Sequence, residues 1–256
     1  KKAVDNIEGP ILVSAGPGTG KTQVLTLRIV NILRQTDLSP ENILALTFTD
    51  AGAHAMRERL RQYLGVNAYR VPIHTFHSFA GLCIQSYPEA YEKITGARVA
   101  DDIDRIDIIR TILEEGKTPS LRPLGNPDFH IKNIRSAIDT LKQEYQTPDT
   151  FKIRLTEQRS DLEKIEKYHQ KGAHKGKVRG EYLKAEKQLK KNEQLLYVYT
   201  RYEALLRERR LYDFADMLLE TVFALEQNEE MLRDIQETYQ YVLADEHQDL
   251  NGTQNT

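Results

Sequence analysis

A single cysteine, Cys83, stands among 256 residues. That excludes an intrachain disulfide and a multi-cysteine zinc site, and leaves a small buried hydrophobe as its expected role. Long apolar runs are missing as well: nothing approaches the roughly 18 residues of a membrane span, and neither an anchor nor a signal peptide is visible. The expected setting is cytoplasmic, with no membrane partner. Charge of one sign is scarce, at a formal net of -2, so the overall balance gives no argument for nucleic acid. Internal repeats are absent, and so are low-complexity tracts apart from one basic stretch. What is present, 39% hydrophobic and 29% charged residues, suffices for a packed core in one large or two modest domains.

The most informative segment is Pro10-Ile-Leu-Val-Ser-Ala-Gly-Pro-Gly-Thr-Gly-Lys-Thr22. Its apolar start over residues 11–14 reads as a strand and its glycines as a turn, while Val24, Leu25, Ile29, Ile32 and Leu33 continue at helical spacing. Glycines let backbone N–H groups converge on phosphate oxygens, and a helix start adds its positive dipole end. Ala15, Gly16, Pro17, Gly18, Thr19, Gly20, Lys21 and Thr22 are therefore the candidate cradle for a nucleoside triphosphate. Lys21 is expected to reach the β- and γ-phosphates, and the Thr22 hydroxyl to hold Mg²⁺.

Downstream, residues 38–42 read as a turn and Ile43-Leu-Ala-Leu-Thr-Phe48 as a second, buried strand. Asp50 is the expected cap of a helix running to about Leu64, with Ala53, Met56 and Leu60 inward, and Val71-Pro-Ile-His-Thr75 is a short third strand. Strands separated by helices imply a parallel sheet. From about Pro88 to Leu211 long charged helical segments take over, broken at residues 116–127 and 146–149, which reads as a helical insertion. Ile134, Ile138, Leu141 and Tyr145 make one apolar stripe; Tyr182, Ala185, Leu189, Leu196 and Tyr199 make another, interrupted at Asn192. Gly172, Gly176 and Gly180 mark a tip between two long helices. Residues 164–191 hold ten Lys/Arg against three Glu, with His169 and His174 among them; this is either a contact for DNA or a protein, or a solvated face.

Tyr239-Gln-Tyr-Val-Leu-Ala-Asp-Glu246 returns to strand character and ends in two carboxylates, where the C-terminal edge of a sheet places catalytic acids. An acid committed to a metal shell cannot also accept the proton of an attacking water, so Asp245 is expected to orient Mg²⁺ and Glu246 to activate water.

Four segments occur in order: Ala15-Gly-Pro-Gly-Thr-Gly-Lys-Thr22, Leu46-Thr-Phe-Thr49, Thr75-Phe-His-Ser-Phe79 and Asp245-Glu-His-Gln-Asp249. With Tyr212-Asp-Phe-Ala-Asp216 before the last, the chain resembles the N-terminal ATP-binding region of UvrD/Rep/PcrA-type (superfamily 1A) DNA helicases across nearly its whole length. The resemblance implies an α/β fold, a RecA-like P-loop NTPase parallel sheet with an inserted all-helical subdomain. Residues 1–87 and 214–256 would be two parts of the motor domain, and residues 88–213 the insertion. It implies ATP and Mg²⁺ as cofactors, with Lys21, Glu246 and Gln248 catalytic, Gln248 sensing the γ-phosphate, and Thr22 with Asp245 on the metal. Thr47, Phe48, Thr49, Thr75, Phe76, His77 and Ser78 would lie along single-stranded DNA, hydroxyls on phosphates and a ring against a base; Phe48, Phe76 and Phe79 have core packing as their alternative.

The implied function is the motor portion of an ATP-dependent 3′-5′ DNA helicase or translocase acting on single-stranded DNA, with duplex DNA a second candidate partner. A helicase subunit of a helicase–nuclease complex and a nucleotide-gated DNA-binding module are the alternatives. Some residues depart from the family pattern: Asp50-Ala-Gly-Ala53 stands where Asn-Lys-Ala-Ala is common, His247 where an aromatic is usual, and Leu250 where Thr is. The resemblance also puts an adenine-reading Gln before Lys1 and a second RecA-like domain, with its arginine fingers, after Thr256. Such arginines are worth about 10³ to 10⁵ in rate, so the isolated stretch is expected to bind nucleotide weakly and not to unwind DNA.

Overall fold

The computed structural model describes residues 2–14, 16, 18–171 and 175–256, and the chain divides into two units, Lys1–Glu92 with Glu220–Thr256, and Lys93–Leu219. The first unit opens with α1 (Lys2–Asp5), α2 (Lys21–Gln35), β1 (Ile43–Thr47), α3 (Asp50–Leu64), β2 (Ile73–Thr75) and α4 (Phe76–Ser86). The second holds β3 (Arg98–Val99), α5 (Asp102–Glu114), α6 (Ile131–Gln143), α7 (Pro148–Lys164), α8 (Gly180–Glu208) and β4 (Leu211–Tyr212). α9 (Phe214–Gln227) contains the boundary, and α10 (Glu229–Thr238), β5 (Tyr241–Ala244) and α11 (Gly252–Asn255) complete the first unit.

The sheet of the first unit is parallel, in the order β2-β1-β5. β1 is buried along its whole length, which is why it reads as an unbroken apolar run rather than an alternation. Ile29 and Ile32 of α2 and Met56 and Leu60 of α3 pack on it at zero exposure, with Val71 beside them. Thr47 lies opposite Thr75 and Leu46 opposite Ala244, so the three strands end at a common C-terminal edge.

Two local expectations are corrected. Residues 11–14 form no strand: Leu12 is 78% exposed, and no strand among the described residues runs alongside to supply ladder hydrogen bonds. An apolar run becomes a strand only where a neighbour satisfies its backbone. Thr49 rather than Asp50 caps α3, its hydroxyl accepting the Gly52 N–H at 3.0 Å, while Asp50 is the first helical residue. There its carboxylate is favoured by the helix dipole. Thr49→Ala should cost about 1 kcal/mol, read as a lower urea midpoint at unchanged slope.

In the second unit α5, α6 and α8 enclose Ile108, Ile109, Ile112, Ile134, Ile138, Val198, Tyr199, Tyr202 and Leu206. Phe151 and Leu155 of α7 meet Leu189 of α8. The α8 stripe expected from the sequence holds at Leu189 and Tyr199, and the core face also takes in Val198, Tyr202, Leu205 and Leu206. Its interruption at Asn192 has a cause, since the Asn192 amide donates to Gln158 on α7 at 3.0 Å. Tyr145 lies beyond the end of α6 with φ 55°, outside the helical stripe. β3 and β4 pair in parallel inside the stretch that reads as strandless; two residues each are too few to leave a periodicity. Between α7 and α8, Tyr168 pairs antiparallel with Val178, while Gly172 and His174 lie outside the described residues. No helix among the described residues is long and apolar enough to cross a membrane.

This unit also buries a charge cluster, of which the sequence marked only the segment holding Asp213 and Asp216 and not the lysines they surround. The Lys142 ammonium, at zero exposure, lies 2.7 Å from each of the carboxylates of Glu203, Asp213 and Asp216. Lys93 reaches Glu203 and Asp216 at 2.7 Å, and Arg105 meets the Tyr202 hydroxyl at 2.8 Å. Asp213 and Asp216 exchange backbone-to-carboxylate hydrogen bonds at the start of α9 (2.9 and 3.1 Å). Oxygens of the three acids all lie within 4.8 Å of one another, close enough to hold a cation; that cation is Lys142.

Candidate nucleotide site and strand-end surface

The glycine turn ends in left-handed backbone: Gly18 has φ 73°, and Gly20, the residue before α2, has φ 85°. A side chain is disfavoured at both for conformational reasons. No heavy atom lies within 4 Å of where a Cβ on Gly18 would sit, so the turn is open rather than crowded. Thr19 folds back on Gly16, its hydroxyl donating to the Gly16 carbonyl at 2.7 Å. Ala15 and Pro17 of the expected cradle lie outside the described residues.

Lys21 and Thr22 open α2 and meet the far end of the chain. The Thr22 hydroxyl donates to Asp245 Oδ2 at 2.8 Å, and Lys21 Nζ lies 3.1 Å from Glu246 Oε2. Asp245 follows β5 directly, is 7% exposed, and extends the ladder by donating its N–H to Leu46 at 2.8 Å. Glu246 then leaves the sheet with φ 52° and ψ 40°, a left-handed conformation that costs a side-chain-bearing residue of order 1–3 kcal/mol. The Gln248 amide donates to the Glu246 carboxylate and to Asp249 at 3.3 Å. Gln248 first, and Lys21 second, hold the Glu246 carboxyl below the usual carboxylate range, so it is ionised at neutral pH.

The strand ends beside this site carry the other predicted residues. Thr47 is buried at 3% exposure, whereas Phe48 is 50% exposed; Thr49 and Ser78 are exposed, and Thr75, Phe76 and His77 half-buried. Gly52 permits a close approach here, because a Cβ on it would come within 2.5 Å of the Thr47 hydroxyl oxygen. Thr75 caps α4 by accepting the Ser78 N–H at 3.2 Å, much as Thr49 caps α3. Burial pushes the His77 imidazole below its ordinary value, so it is neutral at physiological pH. Phe79 packs edge-on against Tyr239 at 6.0 Å between ring centroids, the core alternative among the aromatics. Cys83 is buried, and burial raises its thiol to about 11, as expected of an inert packing residue.

A hydroxyl and a carboxylate offer oxygen ligands of the kind Mg²⁺ takes, and an open glycine turn at a helix start suits phosphate. Both cofactors therefore fit the residues present.

A parallel sheet with this turn at a helix start and an acidic pair at a neighbouring strand end defines the RecA-like class of P-loop folds. The chain belongs to the UvrD/REP helicase N-terminal domain family, whose model matches residues 1–256. It is 31% identical over 258 residues to the ATP-dependent DNA helicase PcrA of Staphylococcus aureus strain Mu50, covering 100% of this chain and 30% of that protein. It is 30% identical over 257 residues to the protein of that name from Bacillus subtilis strain 168, covering 99% and 29%. The chain thus spans about 30% of the length of these curated relatives.

Proposed function

We propose that this chain is the ATP-binding portion of a DNA helicase motor that moves 3′ to 5′ along single-stranded DNA in the cytoplasm. The observation that carries the reading is the meeting of Lys21 and Thr22 with Glu246 and Asp245, residues more than two hundred positions apart. Residues 1–87 and 214–256 are assigned to the motor domain, and residues 88–213 to its helical insertion. The glycine turn and Lys21 bind the triphosphate of ATP, and Thr22 with Asp245 hold Mg²⁺. When bound, the ion neutralises charge on the phosphate oxygens. Glu246 orients water and accepts its proton, and Gln248, hydrogen-bonded to Glu246, reports the γ-phosphate to it.

DNA is assigned to the strand-end surface. The exposed hydroxyls of Thr49 and Ser78 suit phosphate, and exposed Phe48 suits a base face. Because these contacts need no base-edge readout, binding should be indifferent to sequence and steeply weakened by salt. The 256 residues alone should bind nucleotide without unwinding DNA. The test is ATP turnover by the full-length protein with and without single-stranded oligonucleotide. Stimulation by DNA is the expected result, and turnover indifferent to DNA would remove the motor reading.

A further inference from the structure

A cavity of about 590 Å³ opens in the second unit between α8 and the loop that joins α5 to α6. The loop is held in place from both ends. The Gln194 side chain of α8 accepts the Ser120 N–H at 2.9 Å and donates to its hydroxyl at 3.1 Å. Arg110 of α5 binds Asp128 at 2.8 Å, and Leu121 and Ile131 are buried in the core. The pocket is therefore preformed, which lowers the ordering cost of binding.

Its two walls differ in chemistry. The loop offers Pro119 and Pro123, and α8 offers Leu183, 49% exposed, together with three lysines. Lys187, Lys190 and Lys191 continue from Leu183 along one face of α8, at helical spacing. Glu186 meets Lys190 at 3.8 Å. Lys187 and Lys191 have no carboxylate partner among the described residues, so the pocket keeps net positive charge. The loop adds two more exposed apolar side chains, Leu124 and Phe129.

We infer that this pocket docks an acidic peptide segment of a partner protein, one aliphatic side chain entering between Pro119, Pro123 and Leu183 while neighbouring carboxylates meet Lys187, Lys190 and Lys191. Charge complementarity alone would also admit a phosphodiester backbone. That backbone brings no apolar group for Pro119, Pro123 and Leu183. A peptide covers both walls at once.

The test is fluorescence anisotropy on the whole chain with a fluorescein-labelled peptide alternating glutamate and leucine, set beside oligoglutamate of equal charge and a duplex oligonucleotide. The mixed peptide should bind about tenfold or more tightly than oligoglutamate, the effect of burying one aliphatic side chain. Binding should fall at least about tenfold in Lys187→Glu/Lys191→Glu and in Leu183→Asp, and hold in Lys171→Glu, a control in the same basic stretch. All these side chains are surface groups, and the milder Lys187→Gln/Lys191→Gln should show a smaller loss of the same kind. Equal affinity for oligoglutamate, no binding, or tighter binding of duplex through the same lysines would each overturn the inference.

Discussion

Glu246→Gln in the full-length protein is expected to lower DNA-stimulated ATP hydrolysis by about 10² to 10⁴-fold, the usual worth of a positioned general base, while ATP still binds. The amide keeps the shape of the side chain and can still meet Gln248, but it cannot accept a proton. The wild-type carboxyl is ionised at neutral pH because Gln248 and Lys21 stabilise its charged form. Lys21→Ala should differ in kind. It removes the ammonium that lies 3.1 Å from Glu246 and is assigned to the triphosphate, so nucleotide affinity should fall along with turnover. Single-turnover hydrolysis beside equilibrium binding of a fluorescent ATP analogue separates the two outcomes. A Glu246→Gln protein that turns over ATP at the wild-type rate would remove Glu246 from the chemistry.

Lys142→Met should be the most damaging substitution outside the nucleotide site, destabilising the second unit by about 3–5 kcal/mol, the range for breaking a buried ion pair from one side. Methionine fills much of the volume but leaves the three carboxylates without the ammonium that lies 2.7 Å from each of them. The pH dependence gives a sharper signature than the midpoint. For wild-type Asp216, burial works to raise the carboxyl, but Lys142 and Lys93 outweigh it and hold the group well below its ordinary value. A carboxyl depressed by folding contributes stability that is present above its unfolded value, about 3.9, and is lost as pH falls below it. Lys142 is raised despite burial, by Asp213, Asp216 and Glu203; its contribution is present below about 10.4 and fades as pH climbs toward the higher folded value.

The wild type should therefore hold a plateau between those limits. Lys142→Met should gain stability as pH drops from neutral toward about 5, because protonation relieves the crowded acids. Urea midpoints of both proteins across that range check it, and parallel curves would show that the cluster is not what holds the unit together.

The meeting of Lys21 and Thr22 with Glu246 and Asp245 was more legible in the sequence than the rest because each pair is marked by its local pattern. A glycine turn must be written as glycines, and Lys21 and Thr22 are adjacent to it. Asp245 and Glu246 follow an apolar run whose strand character survives in the structure, whereas the run over residues 11–14, equally apolar, forms no strand for want of a neighbour. Local pattern cannot report a neighbour. The same limit hid the Lys142 cluster, whose members sit at positions 93, 142, 203, 213 and 216. A lysine in an amphipathic helix reads as a solvent-facing residue, and only the packing of α6 against the start of α9 makes it a core cation. Thr49 and Thr75 show a third case: their capping role went unread in the sequence, and it uses each hydroxyl as an acceptor while leaving the O–H to donate.

Thr22 and Asp245 are proposed to act as one unit on a single metal-bound triphosphate. The most direct measurement is a double-mutant cycle of Thr22→Ala and Asp245→Ala, read as the affinity of the chain for a fluorescent ATP analogue with and without Mg²⁺. Non-additive losses are predicted, with the double variant little worse than the more damaged single one and the difference vanishing when Mg²⁺ is chelated. Fully additive losses, or losses that persist unchanged without Mg²⁺, would contradict it.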